Sequence, residues 1–198
     1  MIFLLSPAWC GGKRAQMLMS ERATFPLARR LRTAQGAPIG EVFSFLSGLY
    51  FRGKLAYARA FGSKEYRDSV LVITPARGLV HCDTAVSREE LLEFATIDIA
   101  TNDARFRAPF ERDIATLAVR ASEPVVLLGS VATGKYVDAL VELLGDRLLF
   151  PGDFVGRGDM SRGGLLLRRV REGLELDYIP VAGAVRHGPR PPKLSRQS

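Results

Sequence analysis

Three runs of this chain, Ile2–Leu5, residues 70–73 and Val125–Leu128, are apolar at every position. A strand with one wet face alternates apolar and polar residues, so an unbroken run needs cover on both faces. Segments of helical spacing separate the runs. That order predicts an α/β fold: a largely parallel or mixed sheet flanked by helices in a three-layer sandwich. Residues 42–46 and 147–150 are further strand candidates, and 174–179 reads as an edge strand.

Helices are expected over residues 15–18 and 25–32, and over Leu49–Phe61, which stops at Gly62. Ser87 and Glu90 have the spacing of a capping box, opening a helix that runs to about Ala95. Another helix is expected over residues 109–120, with Pro109 in its first turn. Two more are expected over 136–144 and over 163–171, the latter capped by Asp159 or Ser161. Residues 77–80 read as a turn, and 97–106 fit neither template. The organisation predicted is one domain over residues 1–185. A basic, proline-rich tail over 186–198, carrying Arg186, Arg190, Lys193 and Arg196, is expected to be disordered or laid on the surface.

The chain has 198 residues, 47 % of them hydrophobic and 25 % charged, the balance of a folded domain. No apolar run approaches the ~20 residues of a membrane span, and the short apolar start has no basic residue before it, unlike a leader peptide. No membrane partner is expected. Two distant cysteines, Cys10 and Cys82, form neither a disulfide framework nor a zinc spacing, which points to a reduced, cytoplasmic setting. His81 and His187 cannot build a metal site alone, so no metal or other cofactor is expected.

The charge balance is basic: 28 Lys and Arg against 21 Asp and Glu, net +7. Such a field suits a polyanion, either nucleic acid or a phosphorylated small molecule, or serves solubility alone. Three stretches are the candidates for a site. The first, Gly129 to Lys135, fits G-x-x-x-x-G-K, with Gly129, Gly134 and Lys135 as a phosphate loop. Tyr136 stands where that loop needs a magnesium-binding Ser or Thr, so a structural turn competes with nucleotide hydrolysis. The second runs from Phe154 to Gly164. Gly156 and Gly158 would let the backbone approach a ligand, and Arg157 and Arg162 would grip phosphate. Arg168, Arg169 and Arg171 extend the basic surface, and a solvated loop is the competing reading. The third mixes Tyr50, Phe51 and Tyr57 with Arg52 and Lys54, a pattern that can stack bases while holding phosphates, or pack a core.

Leu4-Leu5-Ser6-Pro7-Ala8, Ser47-Gly48-Leu49-Tyr50 and Arg157-Gly158-Asp159-Met160-Ser161-Arg162 resemble, in this order, segments of the bacterial peroxide-stress YaaA-like family. In place of the lysine that follows the first segment in that family stands Trp9, with Lys13 a possible substitute. The resemblance implies a positively charged cleft, DNA binding and a role in limiting oxidative damage. It also implies that Ser6, Ser47, Gly48, Tyr50, Arg157, Met160 and Arg162 surround the cleft. The expected function is therefore phosphate-ligand binding, with DNA as the leading ligand. An enzyme acting on a nucleotide or nucleoside is the alternative. It needs a carboxylate in the cleft, for which Asp159 and Asp83 are the candidates.

Overall fold

The computed structural model describes residues 1–66, 68–100, 103–132, 134 and 136–192. Its main sheet has six strands. In chain order the strands are β1 (Ile2–Leu5), β2 (Ala37–Pro38), β3 (Val70–Thr74), β4 (Gly78–His81), β5 (Ala85–Val86), β6 (Val125–Leu128), β7 (Leu148–Pro151) and β8 (Tyr178–Pro180). The sheet order is β4-β3-β1-β6-β7-β8, while β2 and β5 pair in a small antiparallel sheet of their own. β3, β1, β6 and β7 are parallel neighbours; β4 and β8 are antiparallel edges. This is the α/β sandwich expected from the apolar runs.

The helices are α1 (Lys13–Met19), α2 (Pro26–Leu31), α3 (Ile39–Ser47), α4 (Leu49–Phe61), α5 (Arg88–Phe94), α6 (Ala104–Arg120), α7 (Val137–Leu144) and α8 (Asp159–Glu172). The two-residue period of the strands divides the core into two layers. Phe3, Leu5, Val70, Val72, Val126 and Leu128 meet side chains of α1 to α5 and α8. Ile2, Leu4, Leu71, Ile73, Val125 and Leu127 meet those of α6 and α7. Every residue of β1, β3 and β6 is buried, which explains why these runs carry no polar alternation. Among the described residues no helix is long and apolar enough to cross a membrane.

Several elements differ from expectation. Residues 42–46 are not a strand but the second half of α3. Ile39, Val42, Phe43 and Leu46 are its buried side chains, spaced three and four apart, and this helical period starts before the window that looked like a strand. Residues 78–81 are not only a turn: Gly78, at φ +64°, starts hairpin strand β4. Helix α6 begins at Ala104, capped by the Asp103 carboxylate, so Pro109 lies inside the helix and not in its first turn. The helix expected over 163–171 begins at Asp159, and its N-cap is Gly158 rather than Asp159 or Ser161. The capping box of Ser87 and Glu90 is present as expected. In the tail, Gly188 and Pro189 lie against Val155 and Gly156, so the described part is laid on the surface; Lys193 and Arg196 lie outside the described residues.

Gly163, in the 154–164 stretch, serves packing. A Cβ on Gly163 would lie 2.7 Å from the Leu49 carbonyl oxygen, and one on Gly53 would lie 2.7 Å from the Gly163 carbonyl oxygen. Helices α4 and α8 therefore touch backbone to backbone. Gly163→Val should lower the unfolding free energy by at least the ~1–3 kcal/mol typical of overpacking. Gly158, with nothing within 4 Å of a built Cβ and φ −81°, should accept Ala with a change of only ~0.5 kcal/mol. Urea denaturation of both variants checks the pair.

Candidate functional site

In an open parallel sheet, ligands collect beyond the carboxyl ends of the strands, where the connections diverge to opposite faces. Here that point lies between β1 and β6. The chain leaving β1 passes through α1 to α4 on one face, and the chain leaving β6 enters α7 on the other. A cavity of about 470 Å³ opens there. Ser6, Pro7, Ala8 and Trp9 come from the loop after β1, and Ser130 and Tyr136 from the loop after β6. Lys13 and Arg14 belong to the first turn of α1. Ser47, Tyr50 and Lys54 come from α3 and α4, and Asp159 from the start of α8.

At the base of the cavity lies Lys54. Its residue is 1 % exposed, and Nζ donates to the Ser6 carbonyl oxygen at 2.6 Å and reaches Ser6 Oγ at 2.8 Å. The rings of Tyr50 and Phe51, one turn earlier on α4, each have their centroid 4.6 Å from Nζ. No carboxylate forms a salt bridge with Lys54 among the described residues. Burial therefore lowers its pKa from 10.5 to about 7, with Asp159 opposing that shift and Arg162 adding to it. A neutral amine suits the observed geometry: two N–H donors and one lone pair, which can accept the Ser6 hydroxyl proton.

The surrounding groups are also desolvated. Tyr50 Oη is buried with no hydrogen-bond partner among the described residues. Burial pushes its pKa up, partly offset by Arg162. Tyr136 is 4 % exposed, and its hydroxyl reaches the Ser130 carbonyl oxygen at 3.5 Å. Burial pushes its pKa up to about 12, against a counteracting hydrogen bond with Ser6. A Cβ on Gly129 would lie 2.8 Å from both Ser6 Cβ and Tyr136 Oη. Gly129 thus lets the two loops close on each other.

The expected site residues fall into separate groups. Ser6, Lys13, Ser47, Tyr50, Lys54 and Asp159 line the one cavity. Gly48 and Arg52 lie in an adjoining groove that shares Arg14 and Ser47 with it. Arg157 and Gly158 lie in a different hollow, beside Arg190 and Pro191. The Arg157 guanidinium is held by the Asp153 carbonyl and Ser161 Oγ, and Gly156 carries φ +72° beneath Pro189. Arg162 is 8 % exposed, with Nε and Nη2 donating to the Phe154 carbonyl and Nη1 3.7 Å from Asp159. The expectation that Arg157 and Arg162 line the cavity is corrected accordingly. Their guanidinium groups bond within the 153–162 turn, and the exposed cations of the cavity are Lys13 and Arg14. Lys54 in turn is no surface phosphate contact, and Tyr50, Phe51 and Tyr57 are all buried, which removes them as stacking platforms.

Of the phosphate-loop stretch, Gly129 packs on Ser6 and Tyr136, and Gly134 lies beside Asp138. The Tyr136 phenol turns inward, and the Asp138 carboxylate packs on Gly134, placing an anion beside the loop; Lys135 lies outside the described residues. His81, Cys82 and Asp83 bring ligand atoms within 4.8 Å of one another. Arg59, however, bonds both Asp83 and the Cys82 sulfur, so two of the three groups already have a cationic partner.

Sequence reasoning missed Trp9, Arg14, Ser130 and the role of Tyr136. Trp9 is 65 % exposed, and an exposed tryptophan on a cavity wall has no signature in a sequence. Tyr136, which broke the motif, was the readable signal. No family model, curated protein or solved structure matches this chain.

The buried lysine has a measurable consequence. Between pH 7 and 10.5 the unfolded chain binds the lysine proton and the folded chain does not. Lys54 therefore contributes stability that is fully present above 10.5 and lost as pH falls through 7. Relative to Lys54→Met, the wild type should gain as much as ~1.4 kcal/mol of unfolding free energy per pH unit between pH 7 and 9. Denaturant titrations of both proteins at these pH values check the slope; equal pH dependence contradicts it.

Proposed function

We propose that the chain binds a phosphate-bearing ligand, a nucleotide or the end of a nucleic-acid strand, in the cavity between the ends of β1 and β6. One observation carries this reading. Lys13 and Arg14 are exposed on the first turn of α1, form no salt bridge among the described residues, and share the cavity with the exposed Trp9 ring. Two cations and an uncovered indole suit a phosphate joined to a base. Asp159, its side chain 70 % exposed on the same cavity, suits sugar hydroxyls, which donate to a carboxylate. The volume of about 470 Å³ is that of a small-molecule site and too small for a duplex.

Longer nucleic acid is the second reading. The groove lined by Arg14, Ser47, Arg52 and Met160 continues from the cavity, and the net charge of +7 favours a polyanion. The similarity of residues 4–8, 47–50 and 157–162 to the YaaA-like family supports DNA as that polymer, with a protective role in oxidative stress.

Fluorescence titrations with a nucleoside monophosphate, a 5′-phosphorylated single strand and a duplex test both readings. The mononucleotide and the single strand should quench Trp9, and Lys13→Ala with Arg14→Ala should weaken both at least tenfold. Tighter duplex binding that depends on Arg52 would transfer the site to the groove. Absence of all three interactions at low salt contradicts the proposal.

A further inference from the structure

Lys54 stands behind Ser6, away from solvent, and Ser6 faces the cavity. This is the arrangement in which an amine removes the proton of a nucleophilic hydroxyl. From the 2.8 Å contact of Lys54 Nζ with Ser6 Oγ, the burial of both groups and their position on an open cavity, we propose that Ser6 is a nucleophile with Lys54 as its general base, acting on an ester carbonyl.

The Ser6 backbone carbonyl fixes the amine. It accepts at 2.6 Å from Nζ, and in the neutral form this leaves a lone pair free to face Oγ, 2.8 Å away. In the first step Oγ bonds to the carbonyl carbon, the carbonyl π pair moves to its oxygen, and the Oγ proton passes to Nζ. The unpartnered Tyr50 hydroxyl lines the same cavity and is the donor available to the oxyanion. Collapse then breaks the ester C–O bond, and Nζ returns the proton to the departing alkoxide. Water then adds to the acyl-serine carbonyl carbon as its proton passes to Nζ; collapse breaks the acyl C–Oγ bond, Nζ returns the proton to Oγ, and the acid is released, so ester and water yield acid and alcohol. The charged and titratable groups near Nζ are Tyr50 on its own helix, Asp159 and Arg162 on α8, and Tyr136 beside Ser6. The lowered pKa of about 7 leaves the amine free to accept a proton at physiological pH.

An uncharged probe separates this proposal from phosphate-ligand binding. Phenylmethylsulfonyl fluoride should sulfonylate Ser6, seen by intact mass and peptide mapping, at a rate that rises through a midpoint near pH 7 and then levels. Ser6→Ala should abolish the adduct. Lys54→Met should slow its formation ~100-fold or more, and Tyr50→Phe should slow 4-nitrophenyl acetate turnover ~10-fold or more. No adduct on Ser6 in wild type from pH 7 to 9 overturns the nucleophile. A labelling rate that climbs without a break to pH 10 overturns Lys54 as the base, and does so on the wild-type protein, whatever the stability of the variants. Nucleotide titration of the Ser6→Ala protein reports on the binding site separately.

Discussion

An uncompensated buried amine holds the centre of this structure. Lys54 Nζ bonds the carbonyl at the end of the central strand β1 and packs between two rings of its own helix. No carboxylate forms a salt bridge with it among the described residues. Burying an unpaired charge costs several kcal/mol, and a titratable group avoids that cost by giving up its proton. The neighbouring groups follow. Tyr50 must keep its proton, Asp159 remains at arm's length in solvent, and Arg162 turns its fork to the Phe154 carbonyl instead of toward the amine.

The rest of the fold brings those groups together. β1 occupies the inner position at which connections change face, so its loop and that of β6 open on one crevice. Helix α4, carrying Tyr50 and Lys54, approaches that crevice because Gly53 and Gly163 let α8 come within backbone contact. The same contact carries Asp159, at the first turn of α8, to the cavity. Gly129 closes the last side by leaving room for Ser6 and Tyr136. Three glycines in two different contexts thus set the distances of the site from behind its lining residues.

The sheet was legible because burial on both faces leaves a plain trace. Residues 2–5, 70–73 and 125–128 have no polar residue to mislead, and each became a strand within one residue of its expected bounds. Helix α3 is not legible in residues 42–46 alone, because the helical spacing shows only once Ile39 is included. The site was half legible. Ser6, Ser47, Tyr50, Lys54 and Asp159 were all singled out and do share a cavity, but the chemistry assigned to Lys54 changed with its burial. A lysine beside Arg52 in a sequence carries no sign that one side chain points outward and the other inward; only the packing of α4 against β1 and α8 decides it. Likewise Gly156, Arg157 and Gly158 belong to a tight turn, whose backbone carbonyl and neighbouring hydroxyl satisfy the arginine. Local hydrogen bonding of that kind is invisible to composition.

The most direct measurement is an NMR titration of the Lys54 side chain, followed through its ε-carbon and Nζ shifts from pH 5 to 11 and assigned with Lys54→Met. A midpoint near 7 for Lys54 is the predicted result. A midpoint above 10 for Lys54 would show a solvated ammonium. It would contradict the buried amine on which the cavity, its neighbours and the proposed chemistry of Ser6 all depend.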